Sequence, residues 1–248
     1  MDYSELKNLV KKLSHEYYDL AHPSVSDEEW DALYDQLHTI ESRQGWKDSD
    51  SPTLRVGGEA GKVRHPFKLY SLQKSYDSTE IGSEFNVRVP KLDGTNLSLI
   101  YREGKLDLAL TRGNGEYGEN VTHLMKHCAG VPQKISIDSA VIVGECVTDN
   151  TVDNFRNYVS GALGLKSADE FSERSIRFIA HDYLGVRTDY RARMSIVKNA
   201  GFNIIFEEDL CGQYPQDGVV YRIDSWSECD RLGYTSKYPR FAIALKER

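Results

Sequence analysis

No apolar run in this 248-residue chain approaches the roughly 18 residues of a membrane-spanning helix. Its first residues show neither the basic n-region nor the apolar h-region of a secretory signal. A soluble, cytoplasmic protein without membrane contact is therefore predicted. The four cysteines, Cys128, Cys146, Cys211 and Cys229, form no C-x-x-C pair, which argues against a zinc ribbon and against a secreted disulfide framework. Positive charge is short as well: 31 Lys and Arg against 38 Asp and Glu leave a net charge of −7. The whole molecule is thus no nucleic-acid clamp, because phosphate neutralisation needs a broad basic surface. Internal repeats and low-complexity tracts are also missing. What remains, at 40% apolar residues, is a globular chain long enough for one large domain, or a medium one with an appendage.

From Tyr3 to Leu20 the apolar residues Leu6, Leu9, Val10, Leu13, Tyr17 and Leu20 recur at three and four, which predicts an amphipathic helix ending before Pro23. Ser26-Asp27-Glu28-Glu29 reads as a capping box opening a second helix, with Trp30, Leu33, Tyr34, Leu37 and Ile40 as its buried stripe. Asp27 and Asp31 flank Trp30, while Tyr17 and Tyr18 close the first helix. These residues either complement the helix dipole and fill the core, or line an acidic, aromatic cleft for a flat cationic ring. Residues 42–66 are rich in Gly, Pro, Ser and charge without periodicity, so a domain boundary is placed there: a helical unit over 1–66 and a second domain over 67–248.

Beyond Phe67 the pattern turns β-rich. NVRVPKLD, TNLSLIYR and KLDLALTR are strand-like, and the last two flank Glu103-Gly104 as a hairpin. Further strands are expected near 140–148, 176–184, 203–207, 218–224 and 241–246, with helical turns at 119–128, 151–163 and 188–200. The predicted class is α+β, a small helical domain followed by a domain of mainly antiparallel sheets.

Lys91-Leu92-Asp93-Gly94 ends one of these strands. Alone, Lys91 is either a strand-end surface lysine or a nucleophile. Downstream, Glu145 in VIVGECV, Asp217-Gly218 in DGVVYRID and Lys246 in FAIALK stand where apolar strands meet polar residues, so the four are parts of one pocket or unrelated. Gly113-Asn114-Gly115-Glu116-Tyr117-Gly118 satisfies G-x-G-x-x-G, but the strand before it is the second arm of a hairpin, not the opening strand of a parallel βαβ unit. A tight turn aiming Arg112 is expected instead. His123, His127 and Cys128 have metal-like spacing but no accompanying ligand cluster.

Taken in order, the motifs resemble the NAD+-dependent DNA ligase family over nearly the whole chain. They are Asp27-x-x-Trp30-Asp31, Ser51-Pro-Thr-x-Arg-Val-Gly-Gly58, Leu69-x-Ser71-Leu72, Lys91-x-Asp-Gly94, Thr111-Arg-Gly-Asn-Gly115 with Gly118-Glu119, Glu145, Phe155-Arg156-Asn157, Asp217-Gly-Val-Val220, and Leu232-Gly-x-Thr through Pro239-Arg240 to Lys246. The resemblance implies a helical subdomain that holds the nicotinamide mononucleotide (NMN) half of NAD+ through Tyr17, Tyr18, Asp27, Trp30 and Asp31. It implies an ATP-grasp-like nucleotidyltransferase (adenylation) domain that holds AMP through Ser71, Leu72, Arg112, Glu145, Arg156, Arg222 and Lys246. Lys91 would attack the α-phosphorus of NAD+, release NMN and form lysyl-AMP, with Asp93 orienting the amine or ribose and Asp217 helping to hold Mg2+. AMP would then pass to a 5′-phosphate of nicked DNA. A free lysine titrates near 10.4, so exposing its amine at neutral pH costs about 4.6 kcal/mol, which cationic neighbours such as Lys246, Arg112 and Arg222 would reduce.

This chain departs from the family pattern in several places. Tyr18 stands for a histidine, Trp30 for a tyrosine, Val89 for a glutamate that reads adenine, and Arg222 for a lysine; Gly164 and the region of Asp209 lack expected basic residues. The family's oligonucleotide-binding barrel, zinc module and other DNA-binding domains have no counterpart here. The chain is therefore expected to adenylylate itself and to seal nicks poorly unless those parts come from elsewhere, for instance from a second subunit, in a bacterium or a phage-infected cytoplasm. A non-catalytic NAD+-binding subunit and an ATP-dependent RNA ligase or capping-type nucleotidyltransferase are the alternatives.

Overall fold

A computed structural model describes residues 2–18, 25, 27–44, 51, 62–149, 152 and 154–246. The chain divides into two compact units, Met1–Arg64 and His65–Arg248. In the first, helices α1 (Tyr3–Tyr18) and α2 (Asp27–Gln44) precede a short strand, β1 (Lys62–Arg64). Leu6, Val10 and Leu37 are fully buried between the helices, with Tyr3, Leu33 and Ile40 packed around them. The i, i+4 spacing of Leu6 and Val10 puts both on one face. Glu41 is buried at the end of this stripe and accepts hydrogen bonds from Tyr3 Oη at 3.2 Å and from Ser51 Oγ. Ser26 of the expected capping box, Leu20, and the side chains of Trp30 and Tyr34 lie outside the described residues.

The second unit follows in order as β2 (Gln73–Ser75), β3 (Val87–Leu92), β4 (Thr95–Arg102), β5 (Lys105–Thr111), β6 (Tyr117–Glu119), β7 (Ala140–Thr148), α3 (Phe155–Leu163), α4 (Ala168–Ser172), β8 (Ile176–Leu184), α5 (Tyr190–Asn199), α6 (Glu208–Cys211), β9 (Gln216–Arg222), α7 (Trp226–Leu232) and β10 (Ala242–Leu245). Two four-stranded sheets result, ordered β2-β10-β9-β3 and β5-β4-β7-β8. Every pair in them is antiparallel except β2 with β10. The class is thus α+β with antiparallel sheets, as the helical unit followed by strand-like segments predicts. Val87 and Val89 of the first sheet share a continuous core with Leu97, Leu99, Ile142 and Phe178 of the second.

The β4–β5 hairpin turns at Glu103 and Gly104, with φ of 50° and 67°, the two positive values a type I′ turn requires. β5 pairs with β4 rather than opening a parallel unit, so the glycine-rich run after it is a turn. Two expected elements differ. Residues 119–128 keep only a 3-10 turn, Thr122–Leu124, because Asn120 Oδ1 accepts from the Thr122 amide at 3.0 Å and from its hydroxyl at 2.6 Å, a local alternative to helix. Over 203–207 a single bridge joins Ile204 to Ala180, since the Glu207 carboxylate takes the Ile204 amide at 3.0 Å. Helix α7 was not anticipated, although Ser225 caps it by accepting from the Glu228 amide, the same S-x-x-E signature noticed at Ser26.

A buried charge cluster pins the two sheets. Arg222 on β9 and Arg193 on α5 both reach Asp182 on β8, at 3.1 and 2.9 Å. The Arg222 guanidinium lies 3.6 Å from the Tyr190 ring centroid. Burial would raise the Asp182 carboxyl, but the two arginines hold it below the ordinary range. Asp182→Ala leaves two buried cations without their counter-ion and is expected to destabilise this unit by about 3–5 kcal/mol. Urea unfolding at neutral pH followed by far-UV circular dichroism measures the loss, and an Asp182→Asn variant should lose less.

Candidate active site

The site begins at a disruption of the β3–β9 ladder. Pro90 pairs with Val219 and Leu92 with Gln216, so Asp217 and Gly218 together oppose Lys91. Such a bulge re-aims side chains. Gly218 takes φ of 134°, and a Cβ there would fall 2.2 Å from the Leu245 carbonyl oxygen, so this position is closed to other residues. Because β10 is the next strand, Lys246 leaves the sheet at the same end, its amide bonded to the Ser75 carbonyl at 2.9 Å.

Three cations therefore converge on Asp217. Lys91 Nζ donates to Oδ1 at 2.5 Å, Lys246 Nζ to Oδ2 at 2.8 Å, and Arg156 Nη2 stands 3.5 Å from Oδ2. Burial raises the Asp217 carboxyl, but the hydrogen bonds from Lys246 and Lys91 outweigh it and keep the group ionised below the usual range. Arg156 also donates to Asp93 at 2.9 Å. It is carried by the first turn of α3, which Asn154 caps by accepting the Asn157 amide at 2.9 Å. Three cations against the carboxylates of Asp93 and Asp217 make a partly exposed site suited to phosphate oxygens.

Gly94 brings the second sheet alongside. A Cβ there would lie 2.0 Å from the Cys146 carbonyl oxygen and 3.1 Å from Glu145 Cγ, so glycine alone allows β4 to start directly against β7. Glu145 pairs with Asn96 across that ladder. Burial pushes its carboxyl up to about 7, against the pull of Lys91, the Asn96 side chain and Arg156. Asn96 Nδ2 donates to the Gly144 carbonyl at 3.1 Å and lies 3.0 Å from His181 Nε2; burial takes the His181 ring down to about 4. Asn96 and His181 were not picked out from the sequence, since one polar residue within a strand-like run reads as part of a solvent face.

Ser71, Leu72 and Arg112 line a separate cleft of about 580 Å³, with Lys68, Lys74 and Lys237. Arg112 Nη2 donates to Ser71 Oγ at 2.7 Å. Of the residues expected at the site, the structure thus joins Lys91, Asp93, Arg156, Asp217 and Lys246 directly, sets Glu145 beside them, and pairs Ser71 with Arg112. Arg222 is turned instead to Asp182 in the core. Val89 is buried among apolar residues. Tyr17 and Tyr18 fall in the last turn of α1, and Asp27, Trp30 and Asp31 at the start of α2; their side chains lie outside the described residues. Among the described residues no His, Cys, Asp and Glu cluster forms a ready metal cage, and no helix is long and apolar enough to cross a membrane.

Comparison with known proteins gives the family of the chain. The model of the NAD-dependent DNA ligase adenylation domain matches residues 58–216 and 209–248, and that of the DNA ligase-like N-terminal NAD+-binding domain matches residues 1–57. A DNA ligase of Clostridium botulinum (strain Alaska E43 / Type E3) is 30% identical over an alignment covering 98% of this chain and 46% of that protein. One from Campylobacter curvus (strain 525.92) is 31% identical, covering 93% and 43% respectively. A solved Lig E DNA ligase structure aligns with TM-score 0.45 and 16% identity over 72% of this chain and 68% of that one. The chain spans about half the length of the curated relatives it matches. With both of its units matched and the Lys91-x-Asp-Gly94 motif at the meeting point of its two sheets, the chain belongs to the NAD-dependent DNA ligase adenylation domain family.

Proposed function

We propose that this chain carries out the NAD+-dependent self-adenylylation step of DNA ligation. The observation that carries this reading is the meeting of Lys91 and Lys246 on one ionised carboxylate, Asp217, at 2.5 and 2.8 Å. Lys91, once its ammonium proton passes to solvent, attacks the α-phosphorus of NAD+. The phosphorus–nitrogen bond forms, the bond to the NMN phosphate breaks, and lysyl-AMP remains. Lys246 and Arg156 offset charge on the α-phosphate and the leaving group. Asp93, anchored by Arg156, orients the amine or the ribose, and Glu145 accepts from a ribose hydroxyl. Ser71, Leu72 and Arg112 bind the nucleotide portion, and Arg222 contributes positive potential from the core. The helical unit, through Tyr17, Tyr18, Asp27, Trp30 and Asp31, holds the NMN half.

Mg2+ binds through one or two carboxylates and keeps several waters. Asp217, ionised and with a side chain 20% exposed, is a donor of that kind, and the ion would supply further positive charge against the phosphates. In the later steps AMP passes to a DNA 5′-phosphate and a 3′-hydroxyl displaces it. Those steps draw on DNA contacts from regions that the relatives carry beyond the matched half, on the same polypeptide or on a second subunit.

Intact-mass spectrometry after incubation with NAD+ and Mg2+ is expected to show a gain of one AMP, absent in Lys91→Ala and reduced at least about a hundredfold in rate in Lys246→Ala. Binding of NAD+ without any gain in mass would make the chain a nucleotide-binding subunit instead, and an adduct from ATP but not NAD+ would reject the choice of substrate. The Glu145 carboxyl, raised to about 7, is protonated below that pH and cannot then serve as an ionised acceptor. The kcat/KM for adduct formation should therefore rise as pH increases through about 7, and Glu145→Gln should lack that limb.

A further inference from the structure

His65 belongs to none of the groups above, yet it is 6% exposed and sits beneath the turn that carries Arg112. Its Nε2 is 3.2 Å from the Arg112 carbonyl oxygen, and its Nδ1 is 3.0 Å from Ser98 Oγ. A carbonyl only accepts, so the proton must be on Nε2. Nδ1 is then left to accept from the hydroxyl of Ser98, which is fully buried on β4. One neutral tautomer satisfies both partners. Burial opposes a second proton on the ring, outweighs the backbone carbonyls of Arg112 and Thr111 that favour it, and holds its pKa below the ordinary histidine value.

The surrounding turn has no slack on this side. The Arg112 carbonyl also accepts from the Gly115 amide at 2.9 Å, and the Arg112 amide donates to the Asn96 carbonyl at 3.1 Å. A Cβ on Gly118 would meet His65 Nε2 at 2.9 Å and the Thr111 carbonyl oxygen at 1.7 Å, and one on Gly115 would meet the Leu69 carbonyl oxygen at 2.5 Å. With its backbone clamped in this way, Arg112 extends its guanidinium to Ser71 Oγ at 2.7 Å.

We propose that His65 is a positioning residue for the nucleotide site: by donating from Nε2 to the Arg112 carbonyl it fixes the glycine-rich turn so that the Arg112 guanidinium stays on Ser71. The inference rests on the reading of Ser71 and Arg112 as nucleotide contacts. His65 itself touches no substrate.

Two substitutions separate its two hydrogen bonds. The amide of His65→Gln reaches the place of Nε2 and can donate to the Arg112 carbonyl, whereas that of His65→Asn reaches only the place of Nδ1 and Ser98. In NAD+-dependent adduct formation, His65→Asn is expected to raise the half-saturating NAD+ concentration about tenfold with the maximal rate changed less than about twofold, while His65→Gln stays near wild type. In an Arg112→Ala background His65→Asn should add nothing further. Equal losses for Asn and Gln, or a full additional loss in the Arg112→Ala background, would overturn the proposal in variants that melt like the wild type. Two-dimensional ¹⁵N–¹H spectra of the imidazole rings give a readout apart from activity: a proton on Nε2 with Nδ1 bare is expected, and the reverse tautomer would overturn the contact itself. Absence of any adduct in the wild type would instead reject the nucleotide reading, and the ring spectra would still decide whether His65 holds the Arg112 carbonyl.

Discussion

One carboxylate organises the candidate site. Asp217 accepts from Lys91 and Lys246 on separate oxygens, and three strands that are distant in sequence deliver those groups to one sheet end. The bulge in β9 makes this possible, because an extra residue opposite Lys91 turns Asp217 toward the lysine instead of continuing the ladder. Were the carboxylate missing, two ammonium groups and a guanidinium would face one another with Asp93 and the more weakly ionised Glu145 to offset them. The dependence is therefore mutual: the carboxylate stays ionised because of the cations, and the cations stay gathered because of the carboxylate.

The second sheet contributes a different kind of group. Glu145 is crowded by its own strand and by Asn96, and its carboxyl is raised to about 7 while that of Asp217 is lowered. Two acids close to the same lysine thus differ in how readily they ionise. The cause is burial first and partners second: Glu145 is far more deeply desolvated, whereas Asp217 is partly exposed and receives hydrogen bonds from two ammonium groups. Arg222 shows the same physics deeper in the core, where Asp182 and the Tyr190 ring take up a charge that would otherwise be costly to bury.

Apolar, strand-like runs made most of the second unit legible, from the β4–β5 hairpin to β7, β8 and β10, because strands buried over most of their length leave short continuous apolar stretches in the sequence. The failures were local. Asn120 and Glu207 bond nearby backbone and so replace a helix and a strand with a turn and a bridge, while the three-residue strand β2 is too short to carry a pattern. At the site, Lys91, Glu145, Asp217 and Lys246 were each recognisable as polar residues set where apolar strands meet polar residues. Their meeting was legible only through the family resemblance, since for Lys91, Asp217 and Lys246 it depends on β9 lying between β3 and β10, a long-range pairing that no window of sequence contains. Arg222 looked like a free cation because its partner lies 40 positions away on the other sheet. His65 carried no signal, being one histidine among seven.

The glycine of the Lys91-x-Asp-Gly94 motif also has a mechanical consequence. The lysine on one sheet and the first residue of β4 on the other are linked by only Leu92, Asp93 and Gly94, and at Gly94 the crossing is pressed against the Cys146 carbonyl with no space for a side chain. Covalent geometry therefore fixes the span between Lys91 and the strand pair that bears Glu145, much as a short rigid axle fixes two wheels. If the sheets slide or breathe during a reaction cycle, the nucleophile and this acid must travel together, and any adjustment between them is confined to side-chain rotation.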